Sequence, residues 1–348
     1  MTTPVRTLAL ALALAAVSSA FLVASPSPAR ETPSMPYVRP DAQAYLDALA
    51  KAPRPPMNEQ TIAMIRKIPP EQLAIMMTQA EFPAGDIAVD RTLVIEGPGG
   101  PMDLRLFDPR SERAPGPAVV FFHGGGFVVG SIASHAGLAA EIARQLDLPV
   151  ISVEYRLAPE HKWPAAADDA EAAARWVAAN GAALGREVTG LVLSGDSAGG
   201  TLSLTTALAL RARPATVPVR LVLAFYPMAD ASRPYPSLAE FADGYGLSSA
   251  DSAFYNQAYA PDVNSTRHSA MLADLSGFPP TILATASLDP LRDGGRAFVG
   301  KLAAAGVPVS FYEADGNIHG FATFRKAIPS AQRDLARILD LAKSMLDR

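Results

Sequence analysis

The stretch "LVLSGDSAGGTLSL", residues 191–204, joins an apolar run to a run rich in alanine and leucine. The first half is typical of a buried strand and the second of a helix, so Ser197 falls on the turn between them. Glycines at 195 and 199 fit such a turn, because it brings backbone segments too close together for a Cβ atom. The turn would lift the Ser197 hydroxyl above the sheet edge and aim the helix N-terminus at developing negative charge. The pattern therefore predicts a serine nucleophile.

Short apolar runs alternate with helical patterns on both sides of this turn. The runs lie at 117–124, 149–156, 190–197, 219–227, 279–289 and 307–314, and the helical patterns lie at 135–147, 165–180, 197–213, 293–306 and 330–346. Several runs are apolar throughout, which is typical of strands buried on both faces. Two earlier runs, 87–96 and 102–109, alternate apolar and polar residues across "GPGG" and predict an antiparallel hairpin. The repeated order predicts an α/β fold with a mostly parallel, doubly wound, eight-stranded sheet and helices on both faces.

Two segments depart from this order and predict a helical cap. Residues 35–80 show helical periodicity broken by proline pairs at 55–56 and 69–70, which predicts short hinged helices. Their methionines and isoleucines fit either plain core packing or the inner face of a mobile cap that touches a ligand. Residues 228–278 are too long for a simple crossover, and we expect them to lie over the C-terminal ends of the strands.

The predicted organisation has three parts. Residues 1–29 form a signal peptide, residues 30–86 form cap helices and a linker, and residues 87–348 form the catalytic domain with a cap insertion at about 228–278. The export signal is predicted from Arg6, the uncharged run from Thr7 to Ala29 and the small residues at its end. It places the protein in the periplasm or outside the cell. The alternatives are an uncleaved inner-membrane anchor, which would be the membrane contact of this chain, and a misassigned start.

Composition excludes several classes of protein and site. With 49% hydrophobic residues, 18% charged residues and a net charge of −4, the chain is typical of an ordinary globular protein. Lysines and arginines are scattered without a nucleic-acid-reading motif, so no nucleic-acid partner is expected. The absence of cysteine excludes disulfides, thiolate metal sites and cysteine nucleophiles. No metal or cofactor is expected.

A serine hydroxyl becomes a nucleophile when a base takes its proton and an acid orients that base. Of five histidines, His319 lies in a loop after the last strand, where the chain order serine, acid, histidine requires the base. Asp289 ends a late strand just before a proline and is the expected acid. Asp293 and Asp315 are alternatives, although the first fits a helix cap and the second a turn.

The segment "FFHGGGFVVGS", residues 121–131, predicts the donors that acyl transfer needs for its oxyanion. Glycine amides can approach a substrate closely, and the amide of Ala198 follows the nucleophile. A phosphate-binding loop is the alternative, but the lysine and serine or threonine that follow such a loop are missing.

Five motifs together resemble the hormone-sensitive lipase-like family of α/β hydrolases, also called bacterial family IV esterases. They are "HGGGF", "YRLAPEHKWPAAADDA", "GDSAGGT", "DPLRD" and "HGF", in the family's order and approximate spacing, from about residue 36 to the end. The resemblance implies an α/β-hydrolase fold with an N-terminal helical cap, cofactor-free ester hydrolysis and a triad of Ser197, Asp289 and His319.

The resemblance also implies roles for the neighbouring motifs. Gly125 and Gly126 would join Ala198 in the oxyanion hole, while His123 would order the loop and residues 155–160 would be structural. Members of the family often dimerise through the sheet edge near the last strand, so a homodimer is an expected assembly. Most bacterial members lack an export signal, and its presence here favours an extracytoplasmic substrate.

The leading hypothesis is a serine carboxylesterase that hydrolyses short- to medium-chain acyl esters through an acyl-enzyme at Ser197. Its substrate would be a small hydrophobic ester. A lipase, a sugar-ester deacetylase or an amide hydrolase would use the same triad. A hypothesis of another class is a non-catalytic ligand-binding module, as in the plant gibberellin receptors, which resemble this family. Those receptors have lost a triad residue, whereas Ser197, Asp289 and His319 are all present here.

Overall fold

The computed structural model describes residues 36–51 and 55–347, and the predicted signal peptide lies outside these residues. The described part contains one sheet of eight strands. The strands are β1 (Val89–Gly97), β2 (Gly100–Asp108), β3 (Gly116–Phe122), β4 (Val150–Val153), β5 (Val188–Asp196), β6 (Val219–Phe225), β7 (Thr281–Leu288) and β8 (Val309–Ile318). Across the sheet they run β1-β2-β4-β3-β5-β6-β7-β8.

The direction of the strands follows the sequence pattern. β1 and β2 form an antiparallel hairpin in which Gly97 pairs with Gly100, and β2 is antiparallel to β4. All other neighbours are parallel. The predicted hairpin and the mostly parallel eight-stranded sheet are therefore confirmed.

Helices cover both faces of the sheet, as predicted. The helices after β2 are α4 (Ala136–Leu146), α5 (Ala165–Ala179), α6 (Ala198–Ala212), α7 (Pro236–Glu240), α8 (Ser249–Tyr259), α9 (Arg292–Ala304) and α10 (Pro329–Leu346). Alternate residues of β3 belong to two hydrophobic cores, one on each face of the sheet. Val119 and Phe121 belong to the core that includes α4 and α10. Val120 and Phe122 belong to the core that includes α5, α6 and α9. A strand buried on both faces is apolar at every position for this reason.

Three short helices precede the sheet: α1 (Pro40–Lys51), α2 (Glu59–Ile65) and α3 (Pro70–Met77). Pro70 is the first residue of α3, where proline fits because its missing N–H would be unpaired in any case. Met64 and Met76 are 56% and 51% exposed. Core packing is therefore the wrong interpretation for these two side chains. Every helix within residues 36–51 and 55–347 is too short or too polar to cross a membrane.

Candidate active site

Ser197 occupies the sharp turn between β5 and α6. Its φ of 53° and ψ of −116° lie in a region that non-glycine residues rarely adopt. The Ser197 amide donates to the Phe225 carbonyl oxygen at 2.9 Å, and the Ser197 carbonyl oxygen accepts from the Thr201 amide at 3.0 Å. These bonds on both sides of the residue stabilise the strained backbone, and such strain is common where a side chain must be presented for chemistry.

The two glycines beside the serine are required by the strand that packs against the turn. A Cβ atom on Gly195 would lie 2.4 Å from the Phe122 carbonyl oxygen, and one on Gly199 would lie 1.8 Å from the same atom. Both distances are far below van der Waals contact. The close approach that the sequence pattern predicted is therefore confirmed, and its partner is the end of β3.

Two consecutive side-chain hydrogen bonds, here called the hydrogen-bonded line, connect Ser197 to His319 and His319 to Asp289. Ser197 Oγ lies 2.9 Å from His319 Nε2, and His319 Nδ1 lies 2.8 Å from Asp289 Oδ2. Asp289 is fully buried, and its Oδ1 accepts from the Leu291 amide at 2.8 Å. A carboxylate can only accept, so His319 Nδ1 carries the proton and Nε2 is free to accept the proton of the serine. The structure thus brings the three predicted side chains together with the base in the required tautomer.

Asp293, the alternative acid, points elsewhere. Its Oδ2 accepts from the Ser237 amide at 3.1 Å, and its Oδ1 accepts from the Arg292 guanidinium at 2.8 Å. These contacts join the start of α9 to α7. Asp293 is therefore a structural residue.

The glycine turn after β3 directs two backbone amides. The Gly124 carbonyl oxygen accepts from His123 Nδ1 at 2.8 Å. Because the N–H of a trans peptide points opposite to its carbonyl, this bond sets the direction of the Gly125 amide. The Gly125 carbonyl oxygen accepts from the Val128 and Val129 amides at 3.0 and 2.9 Å, which sets the direction of the Gly126 amide in the same way. The φ angles of Gly125 and Gly126, +119° and +61°, are ones that glycine adopts without strain.

His123 is fully buried beneath this turn. Burial, with a smaller contribution from the nearby His135, lowers the pKa of His123 to about 3. The ring is therefore neutral and donates through Nδ1, and it stacks on Tyr155 with ring centroids 4.2 Å apart. These contacts fit a residue that orders the loop.

A cavity of about 270 Å³ opens above Ser197. Gly125, Gly126, Ala198 and His319 line it together with the serine. The residues predicted to supply the oxyanion donors and the predicted nucleophile therefore line the same cavity.

The outer wall of the cavity comes from segments outside the sheet. α1 contributes Tyr45 and Leu49, and α8 of the insertion contributes several side chains, among them Tyr255. The Tyr255 ring packs against Gly126, where an added Cβ atom would lie 2.4 Å from Tyr255 Cγ. Sequence reasoning placed both segments over the site but did not single out these residues. The lining includes no methionine of α2 or α3, so ligand contact by Met64 and Met76 is also the wrong interpretation.

Nothing in the site is arranged to hold a metal ion. Over the part of the chain that the structure describes, no group of three or more histidine, aspartate or glutamate side chains is placed to ligate one. The chemistry of the cavity rests on the hydroxyl, the imidazole, the carboxylate and the backbone amides.

Comparison with known proteins gives consistent matches. A family described by its alpha/beta hydrolase fold matches residues 119–323. The chain is 40% identical to the esterase LipI of Mycobacterium tuberculosis over 247 residues, which cover 69% of this chain and 77% of that protein. It is 33% identical to an ethyl acetate hydrolase of Pseudomonas putida over 320 residues, 89% of this chain and 99% of that one. The solved structure of an esterase from Pyrobaculum calidifontis superposes with a TM-score of 0.80 at 33% identity, covering 88% and 99% of the two chains.

Proposed function

Because the chain belongs to the hormone-sensitive lipase-like family of α/β hydrolases and is a carboxylic ester hydrolase, we propose that it cleaves short- to medium-chain acyl esters through an acyl-enzyme at Ser197. The observation that carries this proposal is the hydrogen-bonded line from Ser197 Oγ through His319 to Asp289. It supplies a nucleophile, a base in the correct tautomer and a buried counter-charge for the imidazolium.

The first half of the reaction forms the acyl-enzyme. Ser197 Oγ attacks the acyl carbon while His319 Nε2 takes the hydroxyl proton, and the carbonyl electron pair moves to the oxygen. The amides of Gly125, Gly126 and Ala198, residues that line the cavity beside Ser197, are the donors proposed for this oxyanion. The tetrahedral intermediate collapses, the carbon–oxygen bond to the alcohol breaks, and the imidazolium protonates the leaving alkoxide.

The second half returns the free enzyme. His319 takes a proton from a water molecule, whose oxygen attacks the acyl carbon, and the second intermediate releases the carboxylic acid as Ser197 regains its proton. Asp289 holds the ring through Nδ1 and stabilises the positive charge that His319 carries in both halves.

The size of the cavity supports a small substrate. At about 270 Å³ it lies at the lower end of the roughly 300–1,000 Å³ typical of small-molecule sites. Its walls include Leu49, Leu247, Leu291 and Phe324, which suit a short apolar chain. The similarity to an ethyl acetate hydrolase supports the same conclusion.

The test is a series of p-nitrophenyl esters from acetate to palmitate, assayed for initial rates with the wild-type chain and with Ser197→Ala. We expect the highest rate at octanoate or a shorter ester, and loss of turnover in the variant. Ser203→Ala is the matched control, because Ser203 lies in α6, which begins directly after Ser197, and its buried hydroxyl donates to the Gly199 carbonyl oxygen instead of to the triad. A maximum at palmitate would contradict the chain-length proposal, and an active Ser197→Ala enzyme would contradict the mechanism.

We also propose that the chain is exported. The support is the pattern of Arg6, the uncharged apolar run and the small residues before position 30. N-terminal sequencing of the protein recovered from its native host tests this proposal. A chain that begins near residue 30 in the periplasm or medium would support it, whereas an intact N-terminus in the cytoplasm or the membrane would contradict it.

A homodimer is the assembly that we propose from the family resemblance. β8 is an edge strand of the sheet, and its Phe311 is 41% exposed. Light scattering coupled to size-exclusion chromatography, with Phe311→Lys as the comparison, tests it. A wild-type mass of one chain would contradict the proposal.

A further inference from the structure

The residue before the nucleophile makes contacts that the mechanism above does not use. Asp196 is buried, and its Oδ1 accepts from the Gly124 amide at 2.9 Å. The same oxygen lies 3.4 Å from His135 Nε2. A buried carboxylate needs a compensating charge, because removing it from water costs several kcal/mol. His135 is the residue placed to supply that charge.

The hydrogen bonds around His135 determine its proton count. Ser134 Oγ lies 3.0 Å from the Ser131 carbonyl oxygen, to which it donates, and 2.8 Å from His135 Nδ1. An imidazolium donates from Nδ1 to Ser134 Oγ and directs the N–H of Nε2 at Asp196 Oδ1, so all of these contacts are made at once. A neutral ring with its proton on Nε2 would need the Ser134 hydroxyl to turn from Ser131 to Nδ1. The full set of contacts therefore favours the cation.

The charges around the ring act in the same direction. Burial alone lowers the pKa of His135, but the Asp196 carboxylate and, less strongly, Glu81 raise it, and the net shift is upward. The titratable and charged groups around the ring are Asp196 at the end of β5, His123 at the end of β3, Glu81 before β1, Glu154 after β4, and Arg325, which pairs with Glu81. His123 is the neutral member of this set, with a pKa of about 3.

The pair of Asp196 and His135 contacts Gly124, the first residue of the glycine turn. The Gly124 amide has one proton and donates it to Asp196 Oδ1 at 2.9 Å, because His135 Nε2, 3.3 Å from the same amide nitrogen, carries its own proton in the cation. Asp196 therefore holds the N–H of Gly124 while His123 holds its carbonyl oxygen, so both sides of this residue are fixed. The Gly125 amide shares a peptide plane with the Gly124 carbonyl group, so this anchor sets the direction of the Gly125 amide, one of the predicted oxyanion donors.

We propose that His135, paired as a cation with the Asp196 carboxylate, is a positioning residue for the glycine turn at residues 124–126. The ring also lines the cavity, but its hydrogen-bond and ion-pair contacts are with Ser134, Gly124 and Asp196 and not with the reacting atoms of Ser197 or His319. Its charge holds the Asp196 carboxylate directed at the Gly124 amide, and through Gly124 it sets the direction of the Gly125 amide. The proposal rests on the ester hydrolysis proposed above.

His135→Gln tests the proposal by kinetics. Loss of a whole oxyanion donor costs about 10²- to 10³-fold in kcat, so a misaligned turn should cost about tenfold, with KM changed by less than about twofold. In the wild type, kcat should fall as pH rises through the raised pKa of His135, because the cation is lost there. The variant should lack this alkaline decline. Asp196→Asn removes the facing charge and should move the decline to lower pH.

His268→Gln is the matched control. His268 is also buried near the cavity, against Phe127 and Tyr259, but burial lowers its pKa to about 4, so it carries no charge at neutral pH. This variant should keep the alkaline decline of the wild type. An unchanged kcat and an unchanged alkaline decline in His135→Gln would overturn the proposal.

A measurement on the wild-type protein covers the case in which a variant fails to fold. The chain has five histidines, so the ¹⁵N shifts of their rings can be assigned. We expect His135 to show two protonated nitrogens at pH 6, where His123 and His268 are neutral, and a neutral His135 ring there would overturn the proposal. Failure of the proposed function is distinguishable, because it would appear as full activity in Ser197→Ala, whatever the state of His135.

Discussion

The Oγ atom of Ser197 lies 2.9 Å from Nε2 of His319, although 122 residues separate the two in the chain. The contact is made at the carboxyl ends of β5 and β8, where the strained turn presents the serine and the loop after β8 presents the histidine. Nucleophile and base are thus within proton-transfer distance at rest, and no side-chain movement is needed before attack. Whether Ser197 can react then depends on which ring nitrogen of His319 carries the proton.

Asp289→Asn should lower kcat about 10⁴-fold, because it reverses that tautomer. The Leu291 amide donates to Oδ1 of Asp289 and would keep the remaining oxygen of the substituted side chain. The new NH₂ group would then face His319 Nδ1, which could only accept, so the ring proton would move to Nε2. A ring protonated on Nε2 cannot take the proton of Ser197. The measurement is kcat on p-nitrophenyl butyrate near pH 7.

Asp293→Asn is the control for this substitution. Asp293 bonds to the Ser237 amide and to Arg292 instead of to the triad, so its variant should retain kcat within about twofold. Circular dichroism of both variants establishes that they are folded. A tenfold or smaller loss in Asp289→Asn would mean that another group orients His319.

Gly126→Ala should lower kcat by about 10²-fold through the oxyanion hole. The φ of Gly126 is +61°, and a new Cβ atom would lie 2.4 Å from Cγ of Tyr255. Because the clash is with a side chain of α8, Gly126→Ala combined with Tyr255→Ala should recover part of the loss. Rates are compared for both single variants and the double variant.

Gly300→Ala is the matched glycine control. A Cβ atom at this position in α9 meets no atom within 4 Å, so activity should be unchanged and stability should rise slightly with helix propensity. If the double variant were no more active than Gly126→Ala, backbone strain would be the cause instead of the contact with Tyr255.

His268 should make the fold less stable in acid. Burial lowers its pKa to about 4, whereas an unfolded histidine titrates near 6.5. The unfolded chain therefore binds a proton that the folded chain excludes, and stability is lost as pH falls from about 6.5 towards 4. At about 1.4 kcal/mol per pKa unit, His268 should lower the free energy of unfolding by about 3 kcal/mol over this pH range. His268→Phe should abolish this contribution.

Urea unfolding of wild type and variant at several pH values between 6.5 and 4 measures the difference. His161→Gln is the control, because His161 is exposed, and its variant should follow the wild-type pH dependence. Parallel pH dependences for His268→Phe and the wild type would show that His268 is not excluded from protonation in the fold.

Local sequence patterns were sufficient to predict the sheet and the three side chains Ser197, Asp289 and His319. Residues 118–122 of β3 and 221–225 of β6 are buried on both faces and apolar throughout, so the sequence pattern identified them as strands, and parallel order placed their carboxyl ends together. Ser197, Asp289 and His319 each follow a strand directly, so chain order located them without knowledge of any long-range contact.

The remaining contacts depend on packing that no local pattern contains. The position of α1 depends on pairs such as Arg39 with Asp334, which are 295 residues apart and bond at 2.6 Å. The contact between Asp196 and His135 joins the end of β5 to the start of α4. Its one sequence signal was an aspartate at the end of a mostly buried strand, directly before the nucleophile.

Leu49→Ala should shift the preference of the enzyme towards longer acyl chains. Leu49 lies in α1 and lines the cavity, and the same helix is held by Tyr45, whose ring centroid is 5.1 Å from that of Phe324. Truncation at Leu49 enlarges the cavity while this aromatic contact keeps α1 in place. The ratio of rates on p-nitrophenyl decanoate and butyrate should therefore rise by about 10-fold, the lower end of what one methylene contributes in an apolar pocket.

Met76→Ala is the comparison that makes this result specific to α1. Met76 is 51% exposed in α3 and does not line the cavity, so its truncation removes a similar apolar side chain without changing the space above Ser197. The decanoate-to-butyrate ratio should stay at the wild-type value. An equal shift in both variants would mean that the N-terminal helices act on the cavity as one mobile unit, and no shift in either would place the acyl chain against α8 instead of α1.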